Sequence, residues 1–181
     1  MNLILRGCVL AVLLGARCGA RTPPPPPPPE PPPPAPPTPA SGTIDAGTYR
    51  DATFPLTAAV PAEWTAAPGR AGSALRVSLT HAPTAAHIEV RALVGEPAAP
   101  APRSDCDWRF VDTANYRSGP EIPGPRTVAS CVPREGASPR GQGWYVARDG
   151  VAWQVEAWVP PGVASEALPA VDAALRGIVV R

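Results

Sequence analysis

The chain has 181 residues and a formal charge of +1. That length leaves room for one domain with appendages, and the near-neutral balance lacks the basic footprint that nucleic-acid binding requires. All 16 basic residues are arginine; together with the abundance of Ala, Pro and Gly this reflects a GC-rich coding sequence, and it removes lysine as a nucleophile, Schiff-base former or phosphate ligand.

Residues 1–20 read as an export signal. Arg6 supplies the positive start, and Gly7–Ala16 is an apolar run too short to span a bilayer. Two processing routes are legible. Cys18-Gly19-Ala20 sets small residues before a cut after Ala20. Leu14-Gly15-Ala16-Arg17-Cys18 resembles a bacterial lipobox, with Cys18 as the acylated N-terminus, although Arg17 stands where that pattern wants a small residue. The first route gives a secreted protein. The second gives one lipid-anchored in the cell envelope, facing the periplasm or on the outer membrane.

Residues 21–42 form a linker whose stretch 22–40 holds almost half of the 29 prolines. Proline has no N–H for helix or sheet ladders, so the expected state is polyproline II. At ~3.1 Å per residue the stretch would reach about 60 Å as a semi-rigid spacer, a length that suits a tether.

Residues 43–181 carry the patterning of a single globular domain. Phe54, Leu56, Ala58 and Val60 alternate until Pro61, predicting a strand over 54–60. Leu75, Val77 and Leu79 mark a second strand, and Ile88, Val90, Ala92 and Val94 a third. Thr127–Val132 reads as a fourth. The stretch 143–158 is a β-hairpin, because Asp149-Gly150 supplies the two positive-φ residues of a type I′ turn. That turn pairs Arg148 with Val151, Val146 with Trp153, and Trp144 with Val155. One face then carries Trp144, Val146, Val151, Trp153 and Val155; the other carries Tyr145, Ala147, Ala152, Gln154, Glu156 and Trp158. A slip of one residue would expose Trp144 and Trp153, so the register is specified by burial. The first face is assigned to the core, and Tyr145, Gln154 and a partly buried Trp158 to a more tolerant second face. Towards the C-terminus, Leu168, Val171, Leu175 and Ile178 form one helical stripe, with Ser165 as N-cap, Pro169 near the first turn and Gly177 at the end.

The segment 95–126 is long and rich in proline, and its Cys106, Trp108, Phe110 and Tyr116 argue against disorder. Cys8 lies inside the signal, and Cys18 is acylated or removed. Both routes leave Cys106 and Cys131 as the cysteines of the domain. An exported chain meets oxidising conditions, so a Cys106–Cys131 disulfide is expected. It would close about 25 residues, worth ~3.5 kcal/mol on the chain-entropy model.

Tyr49, Phe54-Pro55-Leu56, Val60-Pro61 and Trp64 form an opening that resembles PsbP-like domains, where an aromatic-led strand runs into a proline and a tryptophan. The close is also similar: an aromatic hairpin, a proline loop at Val159-Pro160-Pro161, and a helix with a short extended tail over Val171–Val180. The resemblance spans residues 49–181. It implies an α/β/α sandwich built on an antiparallel sheet, with an irregular middle in this chain. It carries no catalytic residue set. With the periodicity, the expected fold class is α+β: an antiparallel sheet of about six strands with a C-terminal helix packed on one face.

Chemistry is sparse. His81 and His87 are the two histidines of the chain; if they share one hairpin, His81 faces Ala86 and His87 faces Thr80, and the imidazoles point to opposite faces. No metal or other cofactor is therefore expected. Asp105, Asp107 and Asp112 are acids on the long segment, and two of them across an open cleft would suit a hydrolase; loop acids beside a disulfide are more often simply solvated. No catalytic residue is assigned. The better-motivated surface is Trp108, Arg109, Phe110, Tyr116 and Arg117, because aromatic and arginine side chains concentrate at binding hot spots. Against it stands the plainer role of plugging the uncovered sheet face. The expected function is an exported, membrane-tethered, non-enzymatic binding domain, with an envelope protein or glycan as partner and the membrane reached through Cys18. The alternative is a secreted hydrolase using the loop carboxylates.

Overall fold

The computed structural model describes residues 42–112, 119–133 and 140–181, all within one compact unit. The export signal, Cys18, the proline linker, Tyr116 and Arg117 lie outside the described residues.

The domain is mostly antiparallel sheet, with one helix packed on it. The larger sheet has seven strands: β4 (Trp64–Ala71), β5 (Ala74–His81), β6 (His87–Val94), β7 (Cys106–Val111), β8 (Arg126–Pro133), β9 (Arg140–Arg148) and β10 (Val151–Val159). Their order across the sheet is β4-β5-β6-β10-β9-β8-β7. The smaller sheet runs β1-β2-β3-β11, from β1 (Thr43–Asp45), β2 (Thr48–Arg50), β3 (Leu56–Ala59) and β11 (Ile178–Val180). The helix α1 spans Ala164–Arg176.

The central hairpin forms in the register its turn demands. Val151 lies opposite Arg148, Trp153 opposite Val146 and Val155 opposite Trp144, and Asp149 and Gly150 both take positive φ. Two similar signals mark strands that alternation alone does not reveal. Ala46-Gly47, both at positive φ, turns β1 into β2. Gly72-Ser73, with the glycine first and at positive φ, turns β4 into β5. Strand β4 contains Pro68 and Gly69, which hides it from a pattern search; it is an edge strand, where a missing N–H is tolerated.

One face of the large sheet packs against the small sheet and α1. Leu75, Val77, Leu79, Ile88, Val90, Trp144, Trp153 and Val155 bury there with Tyr49, Phe54, Leu56 and Ile178 in one cluster. Phe54 meets Trp153 edge-on, with ring centroids 5.9 Å apart, a favoured aromatic geometry. Asp51 ties the small sheet to β4. Its Oδ1 accepts from the N–H groups of Thr53 and Phe54, each at 2.8 Å, and from Arg70 at 3.2 Å. The Tyr49 hydroxyl donates to its Oδ2 at 2.7 Å.

The helix differs from the stripe expected for it. Its buried residues are Ala167, Val171, Ala174 and Leu175, while Leu168 is 47 % exposed. Ile178 is buried as part of β11 rather than as helix. The helix begins before Ser165, with Val163 at the N-cap and no side-chain cap bond. Pro169 consequently lies inside it, where the Ser165 carbonyl receives no helical donor. Gly177 ends the helix at φ −83°, so left-handed freedom is not what glycine supplies there. A Cβ at Gly177 would stand 2.6 Å from Ala59 Cβ: the residue is small because β3 passes close by.

Candidate binding surfaces

The second face of the large sheet is also withdrawn from water. Trp158 is only 4 % exposed, against the expectation of partial burial, and Tyr145, Gln154 and Glu156 are buried too. The cover comes from the segment expected to be irregular. Residues 96–105 cross this face as a strap without regular structure. Gln154 Nε2 donates to the carbonyls of Pro97 at 3.3 Å and Ala99 at 3.2 Å. Trp108 Nε1 donates to the Ala101 carbonyl at 3.0 Å. The Arg103 guanidinium sits 4.2 Å from the Trp158 ring centroid, within cation–π range. Glycines on β9 make room beneath. A Cβ at Gly141 would collide with the Trp158 ring and one at Gly143 with the Tyr145 ring, so both rings lie flat across bare backbone.

The same face carries a charged network. Glu89 and Glu156 stand directly opposite each other on β6 and β10, which is repulsive unless each is compensated. Glu89 accepts from Arg76 at 2.8 Å and from the Arg91 Nε. Burial alone would raise its carboxyl pKa; the two arginines outweigh that and hold it below the ordinary value. Glu156 accepts from the Tyr145 hydroxyl at 3.0 Å. Burial, and then the Glu156 charge, push the Tyr145 phenol well above its usual range.

The segment 95–126 is more regular than its prolines suggest. Cys106–Val111 is strand β7, because Trp, Phe and Val suit a pleated surface and the prolines fall on either side. The Cys106–Cys131 disulfide is formed, with Cα atoms 5.5 Å apart. Cys131 lies opposite Trp108, so the bridge runs diagonally across β7 and β8. It packs with Trp158 and Trp108 as a small separate core.

The aromatic and arginine surface is thereby divided. Trp108 turns onto the sheet, edge-on to Tyr145 at 6.2 Å and to Trp158 at 5.5 Å. Phe110, two residues along the same strand, is 68 % exposed, and Arg109 is exposed as well. Trp108 is the plug, and Phe110 and Arg109 are what the surface offers outside.

Asp105 accepts two bonds from Arg103, each at 2.8 Å, and its charge is matched there. Asp107 and Asp112 are exposed on and just after β7. The histidines face opposite ways as their positions predict, with His87 opposite Thr80. His81 meets Thr84 Oγ1 at 2.8 Å through Nδ1 and Glu63 at 3.4 Å through Nε2. His87 lies parallel to the Trp158 ring at 6.4 Å. Among the described residues no three His, Cys, Asp or Glu side chains gather as a metal site.

Between α1 and the β7–β10 half of the core face lies a groove of about 360 Å³, within the range of ligand sites. Val111, Val132, Trp144, Ala157, Val159, Val171 and Leu175 line it, and exposed Leu168 stands among its walls. Ser130 and Gln142, cross-strand neighbours, are its polar side chains; among the described residues no charged one lines it. The groove exists because α1 turns Ala167 and Val171 to the sheet and leaves Leu168 aside, a choice that periodicity does not make.

No family model, curated protein or solved structure matches this chain.

Proposed function

We propose that this protein is an exported, membrane-tethered, non-enzymatic binding domain of the cell envelope, and that its groove receives an apolar segment of an envelope protein. The observation that carries this reading is the groove itself: apolar, uncharged, and walled on one side by an exposed leucine. An uncharged apolar lining favours a protein segment over a glycan, which needs polar partners throughout. The tether rests on Cys18, set between an apolar export signal and a proline spacer, and the anchor would be a lipid on that cysteine. No helix among the described residues is long and apolar enough to cross a membrane. The PsbP-like assignment belongs to the same proposal. It is supported by the aromatic opening, by the hairpin that leads through a proline loop into the helix, and by the short strand that ends the chain.

A photo-crosslinking amino acid at Leu168 in cells carrying the full chain tests the groove. It should trap a defined envelope protein, and the same group at Arg76 on the opposite sheet face should not. Equal trapping at both positions, or none at Leu168, overturns the reading. Fractionation of Cys18→Ser tests the anchor: the variant should move to the soluble fraction, and a wild-type chain whose mature N-terminus is Arg21 refutes acylation.

A further inference from the structure

His81 is a buried imidazole that neither the groove nor the strap uses. It ends β5, directly opposite Trp64 on β4. The two rings lie tilted against each other with centroids 5.1 Å apart, which holds the imidazole plane. Nδ1 lies 2.8 Å from Thr84 Oγ1, and that oxygen also accepts the Ala86 N–H at 3.4 Å. Nε2 lies 3.4 Å from Glu63 Oε2, long for a direct hydrogen bond. The Glu63 backbone is pinned. The Trp64 N–H donates to the Pro61 carbonyl and the Ala82 N–H to the Glu63 carbonyl, each at 2.9 Å. The Glu63 side chain is 71 % exposed, against 4 % for His81. Beside the pair opens a pocket of about 430 Å³, lined also by Pro61, Ala62, Trp64, Ala170 and Ala173; the two alanines of α1 are too small to fill it.

We propose that His81 Nε2 and the Glu63 carboxylate hold one divalent ion of the zinc class, open to this pocket. The spacing fits such an ion. Two ligands at about 2.0–2.2 Å from a tetrahedral zinc stand about 3.3–3.6 Å apart, and the observed 3.4 Å falls in that interval. The tautomer fits as well. With Thr84 Oγ1 accepting from Nδ1–H, the Nε2 lone pair faces a carboxylate oxygen, and two acceptors so placed call for a cation between them, a second proton or a metal ion. A ligating imidazole characteristically gives its other N–H to an oxygen that fixes its orientation, which is the place Thr84 has. Two protein ligands leave two of four positions for water or for a donor atom of a bound molecule, and the pocket supplies the space. Imidazole with a single carboxylate suits zinc and its neighbours, whereas calcium and magnesium want a set of oxygens. The second histidine plays no part: the partner of His81 is a carboxylate 18 residues earlier in the chain.

Calorimetric titration of zinc chloride into the full exported chain, in mild detergent and without a histidine tag, tests this directly. One ion per chain should bind with a Kd of about 1–50 µM, because two protein ligands hold an ion far less tightly than the four of a structural site. Glu63→Gln should weaken binding at least about tenfold, and His81→Gln should abolish it. Thr84→Val removes the oxygen behind Nδ1 and should weaken binding by about tenfold. His87→Gln should bind like the wild type, and calcium chloride should not bind. Cobalt(II) in place of zinc should give the visible absorption bands of a four-coordinate ion, lost in Glu63→Gln. Melting curves recorded with a chelator show which variants are folded. The exposed Glu63 side chain makes Glu63→Gln the safe variant, and it carries the test if His81→Gln melts early. A wild type with no zinc binding tighter than about 1 mM, undiminished binding by Glu63→Gln, or a site lost in His87→Gln would each overturn the proposal; the first of these outcomes leaves a proton as the cation between the pair.

Discussion

On the core face of the large sheet, Leu75, Val90, Trp144 and Trp153 meet other apolar groups from the small sheet and α1. On the opposite face the same strands present Arg76, Glu89, Tyr145, Gln154 and Glu156, and several of these are nearly as deeply buried. The first face is held by area removed from water and by close packing. The second is held by bonds made one at a time: two arginines on Glu89, a phenol on Glu156, an amide and an indole on the strap carbonyls. Strict alternation of apolar and polar residues is therefore no sign that the polar side is wet. A strap without regular structure can cover such a side, because side chains of the sheet supply the donors that its carbonyls need.

The sharpest way to break the comparison is to remove one large group from each face. Trp153→Ala empties a site on the core face and should cost about 3–5 kcal/mol, lowering the melting temperature by well over ten degrees, at roughly 4–8 °C per kcal/mol for small domains. Reduction of the disulfide, or Cys106→Ser with Cys131→Ser, should cost up to about 3.5 kcal/mol on the chain-entropy model. Amide exchange should rise in β7 and the strap, while β5, β6 and β10 stay protected. Equal loss of protection everywhere would mean the two faces are not separable. Gln154→Ala leaves the Pro97 and Ala99 carbonyls without their donor, at a cost of about 1–3 kcal/mol. From the sequence this position reads as tolerant; the structure moves it to the damaging class, still below Trp153. Melting curves for Trp153→Ala and Gln154→Ala side by side check that order.

The smallest effects concern acid. Asp51 and Glu89 sit one at the core side and one on the polar face, and both have their carboxyl pKa lowered on folding. At Asp51 burial opposes the shift, and the Phe54 N–H, the Tyr49 hydroxyl, the Thr53 N–H and Arg70 reverse it. At Glu89 burial is outweighed by Arg91 and Arg76. A folded pKa below the unfolded one means that the unfolded chain binds protons first. The stabilisation is thus complete above the unfolded carboxylate values near ~4 and is lost as the pH falls through the lower folded values. Asp51→Asn and Glu89→Gln should each be less stable than wild type at neutral pH, and each should show a shallower loss of stability between about pH 4 and pH 2. Denaturant midpoints across that window measure it; slopes unchanged by both substitutions would remove these carboxylates from the acid response.

Residues 143–158 determined their own structure. A two-residue turn that needs positive φ at both positions sets the pairing, and one tryptophan on each strand sets the face, all through neighbours close in sequence. The positions of His81 and His87 follow from the same local geometry. The Cys106–Cys131 pair follows from elimination among few cysteines. Tertiary structure decided the rest. Three-residue strands such as β1, β2 and β11 cannot repay their ordering entropy alone and exist because distant partners lie beside them. Strand β4 survives Pro68 because it lies at an edge, a position that only the assembled sheet creates. The burial of Trp158 depends on a strap remote from it in the chain, and the groove depends on which side α1 turns to the sheet. Alternation and turn chemistry are properties of adjacent residues, whereas coverage of a face is settled by segments that meet only once the chain has folded.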